Sequence, residues 1–160
     1  MDSLTIVRVV AVVGTGLLAG IYLGYRIGTY YALQKFTASS FVQFQQVLHT
    51  HFVKFLPPIL LGAVAATIGW LFMVRSQRGT EFWLIASSAC GLLLTGAITR
   101  AVNVPLNNRL MTWNTADPPT NLREIWAPWD RVNTIRTIVS VGVLVLEASA
   151  LSVRASASPL

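Results

Sequence analysis

LTIVRVVAVVGTGLLAGIYLGY, residues 4–25, decides the fold. Arg8 is its one charged side chain, and no alternation of apolar and polar residues marks it as a strand. About 20 mostly apolar residues in a helix cross the hydrocarbon core of a bilayer. The stretch lacks a small-x-small cleavage site after its apolar run, so it is read as a retained helix rather than a signal peptide. Three further stretches have the same character: residues 55–74, opening at Pro57-Pro58, residues 82–103, and residues 132–153. The expected fold class is all-α, an integral membrane four-helix bundle forming a single four-span domain over residues 1–160.

The composition agrees. Of 160 residues, 54% are hydrophobic and 11% charged, with a mean hydropathy of +0.60. A soluble domain carries about a quarter charged residues, enough for a polar shell. These values exclude a disordered chain and a basic nucleic-acid-binding domain, and one cysteine, Cys90, excludes a disulfide-stapled scaffold. The net charge of +6 and pI near 10.3 suit anionic lipid headgroups. Membrane lipid is therefore an expected partner and nucleic acid is not.

Residues 75–81, RSQRGTE, form a tight turn joining spans two and three. Residues 26–54 are longer and polar-aromatic, and Phe41, Phe44, Leu48, Phe52 and Phe55 share a helical face. This spacing predicts an amphipathic helix, N-capped by Thr37, Ser39 or Ser40, that runs into span two and bends near Pro57-Pro58. Residues 103–133 hold Trp113, Trp126 and Trp129 and read as a Trp-rich loop, either an interfacial belt or a lid. No internal repeat is evident, and the only biased tract is a short Ser/Ala tail at residues 155–158. A raw Lys/Arg count, Arg26, Lys35, Lys54, Arg109, Arg123 and Arg131 against Arg8, Arg75, Arg78 and Arg154, puts the long connections in the cytoplasm, and discounting those Arg that serve a site reverses the orientation, so sidedness stays open.

In an antiparallel bundle, the end of span one, the start of two, the end of three and the start of four meet at one membrane face. Tyr25, Arg26, His49 and His51 lie there. So do Arg100, Asn103 and Asn107 on span three, and Asn133, Arg136 and Ser140 on span four, each set at i, i+3, i+7. Two polar stripes at one depth point to a site at the bundle mouth. Arg beside Asn on facing helices can hold a carboxylate, a phenolate or an oxyanion. The plainer readings are Arg side chains snorkelling to headgroups and Asn side chains bonding across helices, with Pro105 stopping the third span.

His49 and His51 point about 200° apart on a helix and cannot share one ion. Without a third His or a cysteine pair, zinc ligation is excluded. No cofactor is favoured, and a single-His metal or haem site at His49 or His51 is the fallback. A single His as general base is the better functional reading, with an interfacial hydrogen bond as its structural counterpart. Glu147 shares a face with Arg136, about 16 Å along the axis. It reads either as part of a proton path or, as the favoured reading, as a structural carboxyl that Arg154 or the far interface satisfies. Asp130-Arg131 reads as the first turn of the fourth helix.

NVPLNNRL at residues 103–110 and WAPWDRVNTIRT at residues 126–137 resemble a small membrane family that includes the anthrone oxygenases of aromatic polyketide pathways. The motifs cover residues 103–137, and the hydropathy pattern covers the whole chain. The resemblance implies a four-helix membrane monooxygenase, needing no flavin or obvious metal, that uses O2 to convert a hydrophobic tricyclic phenol to a quinone. Residue by residue it points to Asn103, Asn107, Trp126, Trp129, Arg131, Asn133 and Arg136. On that reading His49 (or His51) is the base, and Arg136, Asn103 and Asn133 with Arg100 form an oxyanion cradle. Asn107 and Arg131 add substrate contacts, and Trp113, Trp126 and Trp129 wall a planar substrate. The competing expectation is a non-catalytic membrane module that binds a lipid, a quinone or haem, or joins a larger assembly. The sequence also allows a homo-oligomer. A small transporter is disfavoured, because no broken helix pair or inverted repeat is present.

Overall fold

The computed structural model describes residues 1–155, with side chains to residue 153. Most of the Ser/Ala tail and the Arg154 side chain lie outside the described residues. Within them the chain forms four helices and no strand: α1 (Ser3–Gln34), α2 (Ala38–Val74), α3 (Thr80–Leu110) and α4 (Leu122–Ala155). Each is long and apolar enough to cross a membrane, as expected of an integral membrane four-helix bundle.

The start signals are ordinary side-chain caps. The Asp2 carboxylate accepts from Thr5 N–H at 2.7 Å, and the Thr37 hydroxyl accepts from Ser40 N–H at 3.2 Å. The helices then run further than the apolar stretches alone suggest. Span one continues through a π-helical turn, Tyr25–Thr29, and span three through another, Thr99–Asn103. Pro105 does not stop α3. In the widened turn Val104 N–H bonds back to Thr99 C=O, so the helix absorbs a residue without an N–H and continues to Leu110.

α4 starts at Leu122, ten residues ahead of the expected 132, and carries Pro128 inside it. Trp126 and Trp129 are therefore helical, and the connection at residues 111–121 holds only Trp113. Asp130 and Arg131 sit in the third turn of α4, not the first.

α2 is helical without interruption through Pro57-Pro58. Its amphipathic first half is turned relative to the expected face. Phe41, Val42 and Gln45 are buried and Leu48 and Phe52 half-buried, whereas Phe44 and Phe55 point outward. Gln45 draws this face inward, because its amide donates to the Tyr25 hydroxyl at 2.9 Å.

Around the bundle the order is α1, α2, α3, α4, each helix packing on the next and α4 closing on α1. Small residues set the close approaches. A Cβ on Gly14 would lie 3.1 Å from Ala63 Cβ, and one on Gly91 would lie 2.5 Å from Val143 Cγ2. α1 and α3 show the same burial pattern over residues 11–27 and 81–97, so they occupy equivalent places. Val13, Leu17, Leu61, Phe72, Leu93, Ile138 and Val145 face outward, as a lipid-facing surface requires.

Two buried polar clusters pair across helices inside the apolar core. At the end where residues 75–79 join α2 to α3, Arg8 forms an ion pair with Glu81, and Trp70 Nε1 donates to the same carboxylate at 2.8 Å. Halfway along, Thr67 of α2 donates to Glu147 of α4 at 2.8 Å, joining diagonally opposite helices.

Candidate functional site

A cavity of about 170 Å³ lies inside the bundle at the end where residues 35–37 and 111–121 connect the helices, and all four helices line it. Its polar wall is built around Arg136, which is only 5% exposed. Arg136 Nη1 donates to Thr99 Oγ1 at 2.9 Å and Asn103 Oδ1 at 3.1 Å, and Nη2 donates to Asn133 Oδ1 at 2.9 Å. The guanidinium carbon stands 4.3 Å from the centre of the Tyr22 ring.

The electrostatics of this arrangement are unusual. A buried guanidinium normally has a carboxylate partner, yet every acceptor around Arg136 is neutral. Two donors are also buried and unused, Arg136 Nε and Asn103 Nδ2. The Asn103 amide orientation follows from its partner: Arg136 only donates, so it holds the oxygen and leaves the NH2 over. A cation with an idle Nε, next to an idle Asn amide, in the lining of an apolar cavity suits an anionic oxygen.

The second wall is aromatic. Trp126 and Trp129 stack with ring centres 5.0 Å apart and planes 17° apart, and Tyr25 leans on Trp129 at 5.1 Å. Trp129 Nε1 donates to Asn107 Oδ1 at 2.8 Å, which fixes the ring and ties α4 to α3. Behind Trp126 stand Phe41 at 6.0 Å and Trp113 at 6.4 Å, each edge to face. On the α2 side the lining runs from Gln45 through Leu48, His49 and Phe52 to Leu60. His49 is half-buried and makes no hydrogen bond within the described residues.

Seven of the residues given a catalytic or binding role from sequence thus converge here: His49, Asn103, Asn107, Trp126, Trp129, Asn133 and Arg136. Trp113 supports the wall from behind without lining it. Arg100 and Arg131 are exposed and outside the lining. The i, i+3, i+7 stripe that grouped Arg100 with Asn103 and Asn107 assumes a uniform helical period. The π turn breaks that period, so the two Asn face the cavity and Arg100 faces away. His51 is exposed with Nδ1 against its own helix at Val47 C=O, 2.9 Å away.

The family profile described as anthrone oxygenase matches residues 44–146. The chain belongs to the anthrone oxygenase family. No curated protein and no solved structure matches it. The match takes in all seven convergent residues, while Tyr22 and Tyr25 of α1 precede it.

Two contributors escaped the sequence reading. Tyr22 carries the Arg136 guanidinium on its ring, and Thr99 accepts from it. Their signal was an aromatic and a hydroxyl residue close to the same ends of spans one and three. Among the described residues no three His, Cys, Asp or Glu side chains come together as a metal site. A metal in this cavity would find His49 and the neutral oxygens of Asn, Gln, Thr and Tyr side chains, with no carboxylate or thiolate in the lining.

Proposed function

We propose that this membrane protein is an oxygenase that converts an electron-rich, planar phenol of the anthrone class to the corresponding quinone with O2. The observation that carries the reading is Arg136, a buried cation in the cavity lining with neutral partners and an idle Nε, next to Asn103 with its own idle amide. The stacked Trp126–Trp129 pair supplies a flat apolar face for the ring system.

His49 removes a proton from the activated CH2 of the substrate, and the charge delocalises onto the substrate oxygen held by Arg136 and Asn103. The carbanion reduces O2 and bonds to it, giving a hydroperoxide once a proton returns. Loss of the remaining C–H proton, with cleavage of the O–O bond, leaves a carbonyl and releases water. Substrate CH2 and O2 become C=O and H2O, with no outside reductant. Asn133 and Thr99 keep the guanidinium in place, and Tyr22 supports it from below. Asn107 orients the Trp129 wall, and Trp113 backs Trp126. Arg100 and Arg131, both exposed, serve headgroup contacts in surrounding lipid.

The cavity is smaller than the roughly 300–1,000 Å³ pockets that take drug-sized ligands. Its size suits a compact fused ring rather than a lipid tail. The test is turnover of an anthrone by purified protein in nanodiscs, followed by quinone absorbance and O2 uptake. One O2 consumed per quinone, at a rate above the protein-free reaction, is expected. A rate equal to the protein-free control overturns the proposal.

A further inference from the structure

The exposed part of the cavity lining lies on its side, while Tyr25, Leu110 and Trp126 at the end of the connections are buried. Its roof is sealed by Gln46, whose amide donates to Leu110 C=O at 3.0 Å and Trp113 C=O at 2.9 Å. Arg123 reinforces it, donating to Leu33 C=O at 2.8 Å while lying 4.4 Å from the Phe41 ring centre. The side is different. Among the lining residues, Val53 is 51% exposed and Pro57 is exposed as well. Both share one flank of α2 with His49 and Leu60. That flank faces α3, because Leu60 Cδ2 lies 3.9 Å from where a Cβ on Gly96 would be. On the α3 side the lining continues with Val104.

We infer that the substrate reaches the site sideways out of the bilayer, through a slot between α2 and α3 with Val53 and Pro57 as its lip. The inference rests on the proposed function for what passes through the slot, a planar amphiphilic phenol. The lip sits where the apolar run of span two begins, next to exposed Lys54 and His51. This is the depth of the headgroup–acyl boundary, where rings with one polar edge collect. Proline at 57 has no N–H to give to Val53 C=O, so that carbonyl lacks its helical partner at the lip. It is an acceptor for a phenolic O–H on its way in. The hydroxyl then passes from the Val53 carbonyl past His49 to the donors of Arg136 and Asn103.

Thiol labelling tests the route without requiring turnover, so a failed route and a failed oxygenase reading are told apart. The reporter is Thr99→Cys, at the cavity wall, in a Cys90→Ala background reconstituted into liposomes. A membrane-partitioning maleimide should label it, whereas a sulfonated maleimide supplied on both sides should react roughly a hundredfold more slowly, the penalty for carrying a charge into the bilayer. Adding Val53→Trp, or Val53→Phe if the first variant folds poorly, should slow the apolar reagent about tenfold by filling the slot. Val47→Trp, on a different, exposed flank of α2 outside the lining, should change nothing. Comparable labelling by the sulfonated reagent, no effect of either Val53 variant, or no labelling by any reagent overturns the inference.

Discussion

Replacing Arg136 with methionine removes the cation while keeping most of the side-chain length, and it separates a functional charge from a structural one. Three hydrogen bonds disappear, to Thr99, Asn103 and Asn133. At about 0.5–1.5 kcal/mol each, they amount to roughly 2–4 kcal/mol of lost folding stability. Against this, the wild-type protein holds a buried charge with no anionic partner, at a cost of several kcal/mol. The two effects nearly cancel, so thermal unfolding of Arg136→Met in the same nanodiscs should occur close to, or above, the wild-type midpoint. Activity should behave differently. Loss of a preorganised donor to a developing oxyanion lowers kcat by about 10²–10³. A variant as stable as wild type but a hundredfold slower is the expected signature. Arg131→Met, on the exposed surface, should change neither quantity. Full activity in Arg136→Met would refute the reasoning. So would a fall in midpoint as large as that of a core truncation, because Arg136 would then be a clamp between helices and not an anion site.

Three further outcomes follow from the same geometry. His49→Gln should slow quinone formation by about 10²–10⁴, while His51→Gln, whose ring faces outward, should leave the rate unchanged; equal losses in both would remove His49 from its role. Glu147→Gln keeps the acceptor that Thr67 uses and should unfold like wild type, and a markedly lower midpoint would mean that the carboxylate charge itself is paired. Gly91→Ala places a methyl 2.5 Å from Val143 Cγ2, a β-branched side chain that cannot swing aside. It should destabilise α3–α4 packing by about 1–3 kcal/mol, whereas Gly20→Ala, with nothing within 4 Å, should not.

The four spans were legible because hydropathy reports bilayer length directly, and no tertiary knowledge is needed to count apolar residues. The ends of the helices were not. Residues 104–110 carry Pro105 and two Asn, and residues 122–131 are polar with Pro128 and two Trp, which reads locally as loop. They are helical because Trp126 and Trp129 pack on Tyr25 and Phe41 and bond to Asn107, partners far away in sequence. The same reason hid the true face of α2, which Gln45 sets through Tyr25. Within the site, Asn103, Asn133 and Arg136 could be grouped from spacing because α4 is regular there and the π turn in α3 still leaves Asn103 inward. Arg100, one π turn away, could not be placed, because a change of helical period leaves no mark in the hydrophobic pattern. His49 and His51 were separable in principle, since residues two apart on any helix face apart.

The central claim is that the carbonyl oxygen delivered to the product comes from O2 inside this cavity. Turnover of an anthrone under ¹⁸O2 in unlabelled water, read by mass spectrometry of the quinone at early time points, tests it most directly. One ¹⁸O per quinone, formed by wild type and lost together with the rate in Arg136→Met, is the predicted result. Quinone carrying oxygen only from water, or labelled quinone formed no faster than without the protein, would contradict it.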